Sequence, residues 1–245
     1  RERILDEVKN APPRLRTEAI NYLGANADGQ EFCILEPYLD DADPGVRCAC
    51  AAVLLNSGEL SINVRAGNLF YEFLHSDDPT NRRLAVVCLS KIRNLDTTLI
   101  TAKLLDDPSY DIKRDAIHSI DGTKLESTFG RLAELITEES LRPAISACLQ
   151  GIGKPAAELI GRHLDAIEYG AAPETFRLLT QLLIAINESG KSARIEQLIA
   201  QVSSETARAQ LMIDYCAMLG GASGDKELTA FAREQLAEYT RQAGF

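Results

Sequence analysis

Seven basic residues, Arg16, Arg47, Arg82, Lys113, Arg142, Arg177 and Arg208, recur at steps of 31, 35, 31, 29, 35 and 31 along the 245-residue chain. A period near 30 residues is the mark of a repeat architecture. The seventh residue after each, Leu23, Leu54, Leu89, Ile120, Leu149, Ile184 and Tyr215, is apolar throughout. The third residue after each is apolar except at Thr180, and the residue before each is apolar except at Asn81. Apolar positions separated by four and four residues fall on one stripe of a helix, so each repeat carries a helix with one buried face.

A shorter amphipathic stretch precedes most of these helices, as in EFCILEPYL, LFYEFL, LITAKLL, LAELI and AAELIGRHL. Between the paired stretches stand DDADPG, SDDP and DDPS, where a carboxylate can cap the following helix and Pro can occupy its first turn. No segment alternates with period two, so strands are not indicated. The sequence predicts a helix, a turn and a second helix, repeated about seven times. The approximate units are 1–25 (partial), 26–58, 59–94, 95–122, 123–152, 153–188 and 189–220, with 221–245 as a C-terminal capping helix. A helix pair of this size cannot bury its stripe alone; stacking neighbours supplies the core.

DDADPGVRCACAAVLLNSG at 40–58, DDPTNRRLAVVCLSKI at 77–92, DDPSYDIKRDAIHSI at 106–120 and LRPAISACLQGIG at 141–153 resemble the HEAT repeat family, relatives of armadillo repeats. That pattern has an Asp in the inter-helix turn and a basic residue early in the second helix, here Asp41 with Arg47 and Asp107 with Lys113. The departures are Asn81, Ser76 at the turn Asp position, and the missing turn acids before Arg177 and Arg208. The resemblance implies an all-α, right-handed α-α superhelix, a single solenoid of about seven HEAT-like helix pairs. It also implies a non-catalytic protein-binding scaffold or regulatory module that uses its inner face, with a protein or peptide as partner.

Composition narrows the function classes. Apolar residues at 45% and charged residues at 25% exclude a disordered or collagen-like chain. With 26 basic against 36 acidic residues the net charge is -10, which disfavours duplex nucleic acid as a partner. No apolar run reaches the roughly 18 residues of a transmembrane helix, so membrane insertion by this chain is not expected. The sequence begins at Arg1 without an initiator Met, which leaves open a place as the cytoplasmic domain of a larger, membrane-anchored protein.

Six cysteines, Cys33, Cys48, Cys50, Cys88, Cys148 and Cys216, contain no CxxC, and most sit in apolar helical surroundings. They read as buried free thiols in a reducing compartment, the cytoplasm. His75, His118 and His163 form no ligand pair, so no metal site and no cofactor are expected. No phosphate loop and no GxSxG are present. Among enzymes similar in architecture, HEAT-like alkylpurine DNA glycosylases use a basic groove with aromatics, whereas this chain is acidic and lacks Trp. Deoxyhypusine hydroxylases carry His-Glu metal ligands, but the three histidines here precede Ser76, Ser119 and Leu164. A bilin-lyase-type activity stays open as an alternative that no motif excludes.

Two candidate binding surfaces follow. Arg83, Lys91, Arg114 and His118 would form a positive patch on the second helices, able to accept a phosphate or an acidic peptide. The alternative is a solvated face neutralised by Asp115 and Asp121. In 171–187, Phe176, Leu179, Leu183 and Ile184 fill the expected stripe, which leaves Leu178 and Leu182 on another face. With Ile213 from the next repeat they form either an apolar partner groove or further core. The residues 225–243 suit a polar cap for the end of the array.

Overall fold

A computed structural model describes residues 8–26, 29–167 and 171–186, together with Ile4 and single positions between 199 and 241. The expected capping helix and most of the repeat at 189–220, Cys216 included, lie outside these residues. Among the described residues every regular element is helical. The chain divides into two compact units, Arg1–Ile120 and Asp121–Phe245.

The first unit contains α1 (Pro13–Ala25), a 3₁₀ segment (Gly29–Asp40), α2 (Pro44–Leu54), α3 (Leu60–Leu74), α4 (Pro79–Cys88), α5 (Thr98–Leu104) and α6 (Tyr110–His118). Turn chemistry starts α2 and α4 as the sequence predicts, but not α6, where Ser109 is the N-cap without a side-chain bond and Pro108 lies before the helix. The Val46 N–H donates to the Asp43 carboxylate at 3.0 Å and the Thr80 N–H to Asp78 at 2.8 Å, each with Pro at the first helical position. The Gly29–Asp40 segment departs from the expected α-helix. Pro37 has no N–H to close an α-turn, and the tighter winding places Phe32, Leu35 and Leu39 in the core.

The predicted columns are the core. All seven residues of the plus-seven column are buried, from Leu23 to Tyr215. Of the residues preceding the basic column, Val46, Ile112, Leu141 and Phe176 are buried, whereas Leu15 in the first repeat is exposed. Helices α1, α2, α4 and α6 pack in succession, and α3 and α5 pack on α4 and α6 respectively. Helix α2 sits innermost, packed by α1, the 3₁₀ segment, α3 and α4, and every residue from Cys48 to Leu54 is buried. Small side chains permit this: a Cβ at Gly24 of α1 would lie 2.0 Å from Val53 Cγ1.

A polar latch closes the ends of two repeats. Buried Asn56 donates from Nδ2 to the Lys91 carbonyl at 2.8 Å, and its Oδ1 accepts from the N–H groups of Arg93 (2.7 Å) and Asn94 (3.1 Å). Asn94 Nδ2 donates back to the Asn56 carbonyl at 2.9 Å, and the Arg93 guanidinium reaches the Gly24 carbonyl at 3.2 Å.

The second unit contains α7 (Leu125–Leu135), α8 (Arg142–Ile152), α9 (Lys154–Ala166) and α10 (Pro173–Ile186). Gly153, at φ +73°, is the single residue between α8 and α9; that left-handed conformation favours glycine. Helix α10 packs on α7, α8 and α9, and its Phe176, Leu178, Leu179, Leu182, Leu183 and Ile184 are all buried.

Candidate functional site

The basic column is structural where a turn acid meets it. Arg16 and Arg82 each grip a carboxylate 25 residues ahead with two nitrogens. Arg16 bonds Asp41 at 2.9 and 2.7 Å, and Arg82 bonds Asp107 at 2.8 and 3.1 Å. Both aspartates are nearly enclosed. Burial opposes their ionisation, but the hydrogen bonds from arginine and from the N–H of Asp43 or Ser109 outweigh it and hold both below the usual carboxylate range. The acid thus pairs with the preceding repeat's arginine.

Arg47 instead donates to the Asp41 and Ala42 carbonyls, and Ser76 stands where its acid would be. Arg82 makes the same backward contacts, to the carbonyls of Ser76 (2.9 Å) and Asp77 (3.0 Å), as does Arg142 to Ile136 and Thr137.

The four residues expected as a positive patch do not gather into an open anion site. Asp115 lies between the two arginines, 2.7 Å from Arg83 and 3.1 Å from Arg114, and Asp111 adds a contact of 3.0 Å to Arg114. Burial again opposes ionisation of Asp115, but the two guanidiniums hold it below its usual range. Lys91, in a 3₁₀ turn after α4, and His118, the last residue of α6, are both exposed. Asp121 bonds Thr123 and Lys124 in the second unit.

Leu178 and Leu182 are each 6% exposed and so belong to the core of the second unit rather than to an open groove. Ile213 is half-buried. The apolar encirclement of α10 reflects burial on several sides.

Open apolar surface lies elsewhere, on the first helices of the first unit. Leu60 is 78% exposed and Leu99 82%, with Val64 and Tyr71 also exposed. Leu60, Val64 and Tyr71 share one stripe of α3, which ends at His75. His75 stacks on Tyr71 with ring centroids 3.8 Å apart. Beside it opens a cleft of about 550 Å³ lined by the apolar Leu74, Ile100, Leu104 and Pro108 and by the charged Asp77, Arg82, Lys103, Asp106 and Asp107. His75 Nδ1 is 3.0 Å from the Tyr71 carbonyl, an obligate acceptor, so that nitrogen carries the ring proton. Nε2 is then an acceptor for Lys103 Nζ, 3.4 Å away across the cleft mouth. The arrangement offers apolar side chains, a stacked aromatic edge, and an ammonium and a guanidinium group among three carboxylates. Sequence reading missed it, because His75 and Lys103 stand 28 residues apart in no motif.

Among the described residues no group of three His, Cys, Asp or Glu side chains could hold a metal ion. No described helix is long and apolar enough to cross a membrane. No protein-family model matches the sequence, and no curated protein matches it.

Proposed function

We propose that this chain is a HEAT-like α-solenoid that works as a protein-binding module, with the first-helix face of α3 and α5 as its docking surface. The exposed apolar stripe of Leu60, Val64 and Tyr71 on α3, with the cleft at that helix's C-terminal end and the exposed Leu99 on α5, carries this reading. Large apolar side chains scattered singly are ordinary, but ones aligned on a helix face mark interaction surfaces. The serial packing of second helices in the first unit and the 30-residue period support the repeat architecture. The partner supplies apolar side chains to the stripe and the cleft. Among the described residues Cys33, Cys48, Cys50 and Cys88 are free thiols, which suits a reducing compartment, the cytoplasm.

The test is affinity capture from source-cell lysate, soluble and detergent-solubilised fractions separately. It compares wild type, Leu60→Glu with Leu99→Glu, and Arg83→Glu with Arg114→Glu, each with a folded circular-dichroism spectrum. A protein retained by wild type and by the arginine variant, but lost from the leucine variant, supports the reading. Retention by the leucine variant with loss from the arginine variant moves the surface to the second helices.

A further inference from the structure

The exposed stripe of α3 is symmetric about its own middle. Gly67 and Asn68 stand at the centre; Val64 lies three residues before Gly67 and Tyr71 three after Asn68, and Leu60 lies seven before Gly67 and His75 seven after Asn68. At 3.6 residues per turn these six fall on one side of the helix and its C-terminal cap. Leu60, Val64, Asn68, Tyr71 and His75 are exposed, whereas Ile62, Ala66, Phe70 and Phe73 on the other side enter the core. A second helix of the same sequence, laid antiparallel across this face, therefore sets Val64 against Tyr71 and Leu60 against His75, each pairing formed twice.

Packing within the protomer does not call for the glycine at the centre. Glycine is among the costliest residues in a helix interior, yet α3 runs helical through Gly67. A Cβ there would meet Leu55 Cδ2 at 3.8 Å, an ordinary contact. What the missing side chain provides is room for another backbone to approach. Asn68 beside it carries both a donor and an acceptor, so two copies facing across a two-fold axis can satisfy each other.

The flank of the stripe is self-complementary in charge. Arg65 and Glu72, both exposed, stand seven residues apart along one side of α3. Arg65 reaches Asp40 of its own protomer through one nitrogen, and a guanidinium has further donors. In the antiparallel pairing Arg65 comes opposite Glu72 of the second copy, and the two-fold axis makes that ion pair twice. Leu60 of the second copy comes beside His75, where Leu74, Ile100 and Leu104 line the cleft.

We propose that the occupant of the α3 face is a second copy of this chain, packed antiparallel with Gly67 at the two-fold axis. This rests on the reading of that face as a docking surface and names the partner. Two crossing helices bury less than the roughly 800 Å² per partner of a standard stable interface, so the dimer forms with a dissociation constant of about 10 µM rather than in the nanomolar range.

The experiment is sedimentation velocity on the full chain from about 1 to about 200 µM, with each variant first checked for a folded circular-dichroism spectrum. Wild type is expected to pass from monomer to dimer across that range. Gly67→Leu, which fills the axis, is expected to weaken association at least about tenfold. Arg65→Glu alone and Glu72→Arg alone are each expected to stay monomeric, because each sets like charges together twice. Mixed one to one, these two variants are expected to form a heterodimer, in which both pairs are again opposite in charge; loss of a merely structural contact would not be repaired by mixing. A wild-type monomer at every concentration overturns the proposal and leaves the docking reading to the affinity capture, where it falls only if Leu60→Glu with Leu99→Glu loses no captured protein. A dimer that Gly67→Leu leaves unchanged, or variants that fail to pair on mixing, also overturns the proposal.

Discussion

The two units use the same repeat position differently. In the first, Arg16 and Arg82 each close a two-pronged, largely enclosed ion pair with the next repeat's turn aspartate. In the second, the acid that Arg142 meets among the described residues is Glu174, at 3.4 Å and in the open, while α10 buries apolar side chains on several sides. The deciding residue stands six before the next repeat's basic residue: Asp41 and Asp107 in the first unit, where Ser76 alone breaks the series, and Ala171 in the second. A basic column is therefore not one interaction repeated. It joins repeats where the acid is present, and hydrophobic burial does that work where it is absent.

The sharpest way to break this contrast is Leu182→Glu, which places a charge in the apolar core of the second unit. It should cost more than about 4 kcal/mol. Hydrogen exchange should show protection lost across α7 to α10 and kept across α1 to α6. Asp107→Ala, which leaves Arg82 without its carboxylate and removes the acceptor for the Ser109 N–H, should cost about 2 kcal/mol by urea denaturation. Asn56→Ala should cost somewhat less, about 1.5 kcal/mol, because the released N–H groups of Arg93 and Asn94 can reach water.

Acid separates the pairs further. Asp41 and Asp107 ionise more readily folded than unfolded, so their stabilisation is complete above the ordinary carboxylate range and is lost as pH falls through their depressed folded values. Melting temperature should drop on acidification from about pH 6 to about pH 3, and Asp41→Asn with Asp107→Asn should flatten that slope. Some slope will persist, because Asp115 and Asp121 are shifted in the same direction. The smallest effect is expected from removing the exposed pair: Glu174→Ala should change stability by about 0.5 kcal/mol or less. A loss equal to that of Asp107→Ala would erase the distinction between the units.

Helical class, the buried columns and the Asp43 and Asp78 caps were legible because each depends on local chemistry with a fixed period. The 3₁₀ winding at Gly29–Asp40 was foreshadowed only by Pro37, which the amphipathic pattern outweighed. The direction of the ion pairs was not legible. Asp41 is close in sequence to Arg47, but an arginine side chain is long enough to cross to the next repeat, and Arg47 is occupied by carbonyls. Leu178 and Leu182 show the limit of a helical wheel: it marks a second apolar face without telling whether another helix covers it. The cleft at His75 and Lys103 arises from stacking distant segments, and no spacing rule announces it.

The Asn56 latch bears on how this chain could be cut and recombined. Repeat proteins invite shuffling at sequence boundaries, and residue 58 looks like a natural seam. Yet Asn56 holds the backbone of 91–94, and Arg93 reaches back to Gly24, so hydrogen bonds cross that seam in both directions. A graft ending at 58 would export a buried asparagine stripped of its counterpart, and one starting at 59 would leave behind the asparagine that orders residues 91–94. The smallest interchangeable cassette in this part of the chain therefore runs from α1 through Asn94, longer than the period that the basic residues advertise.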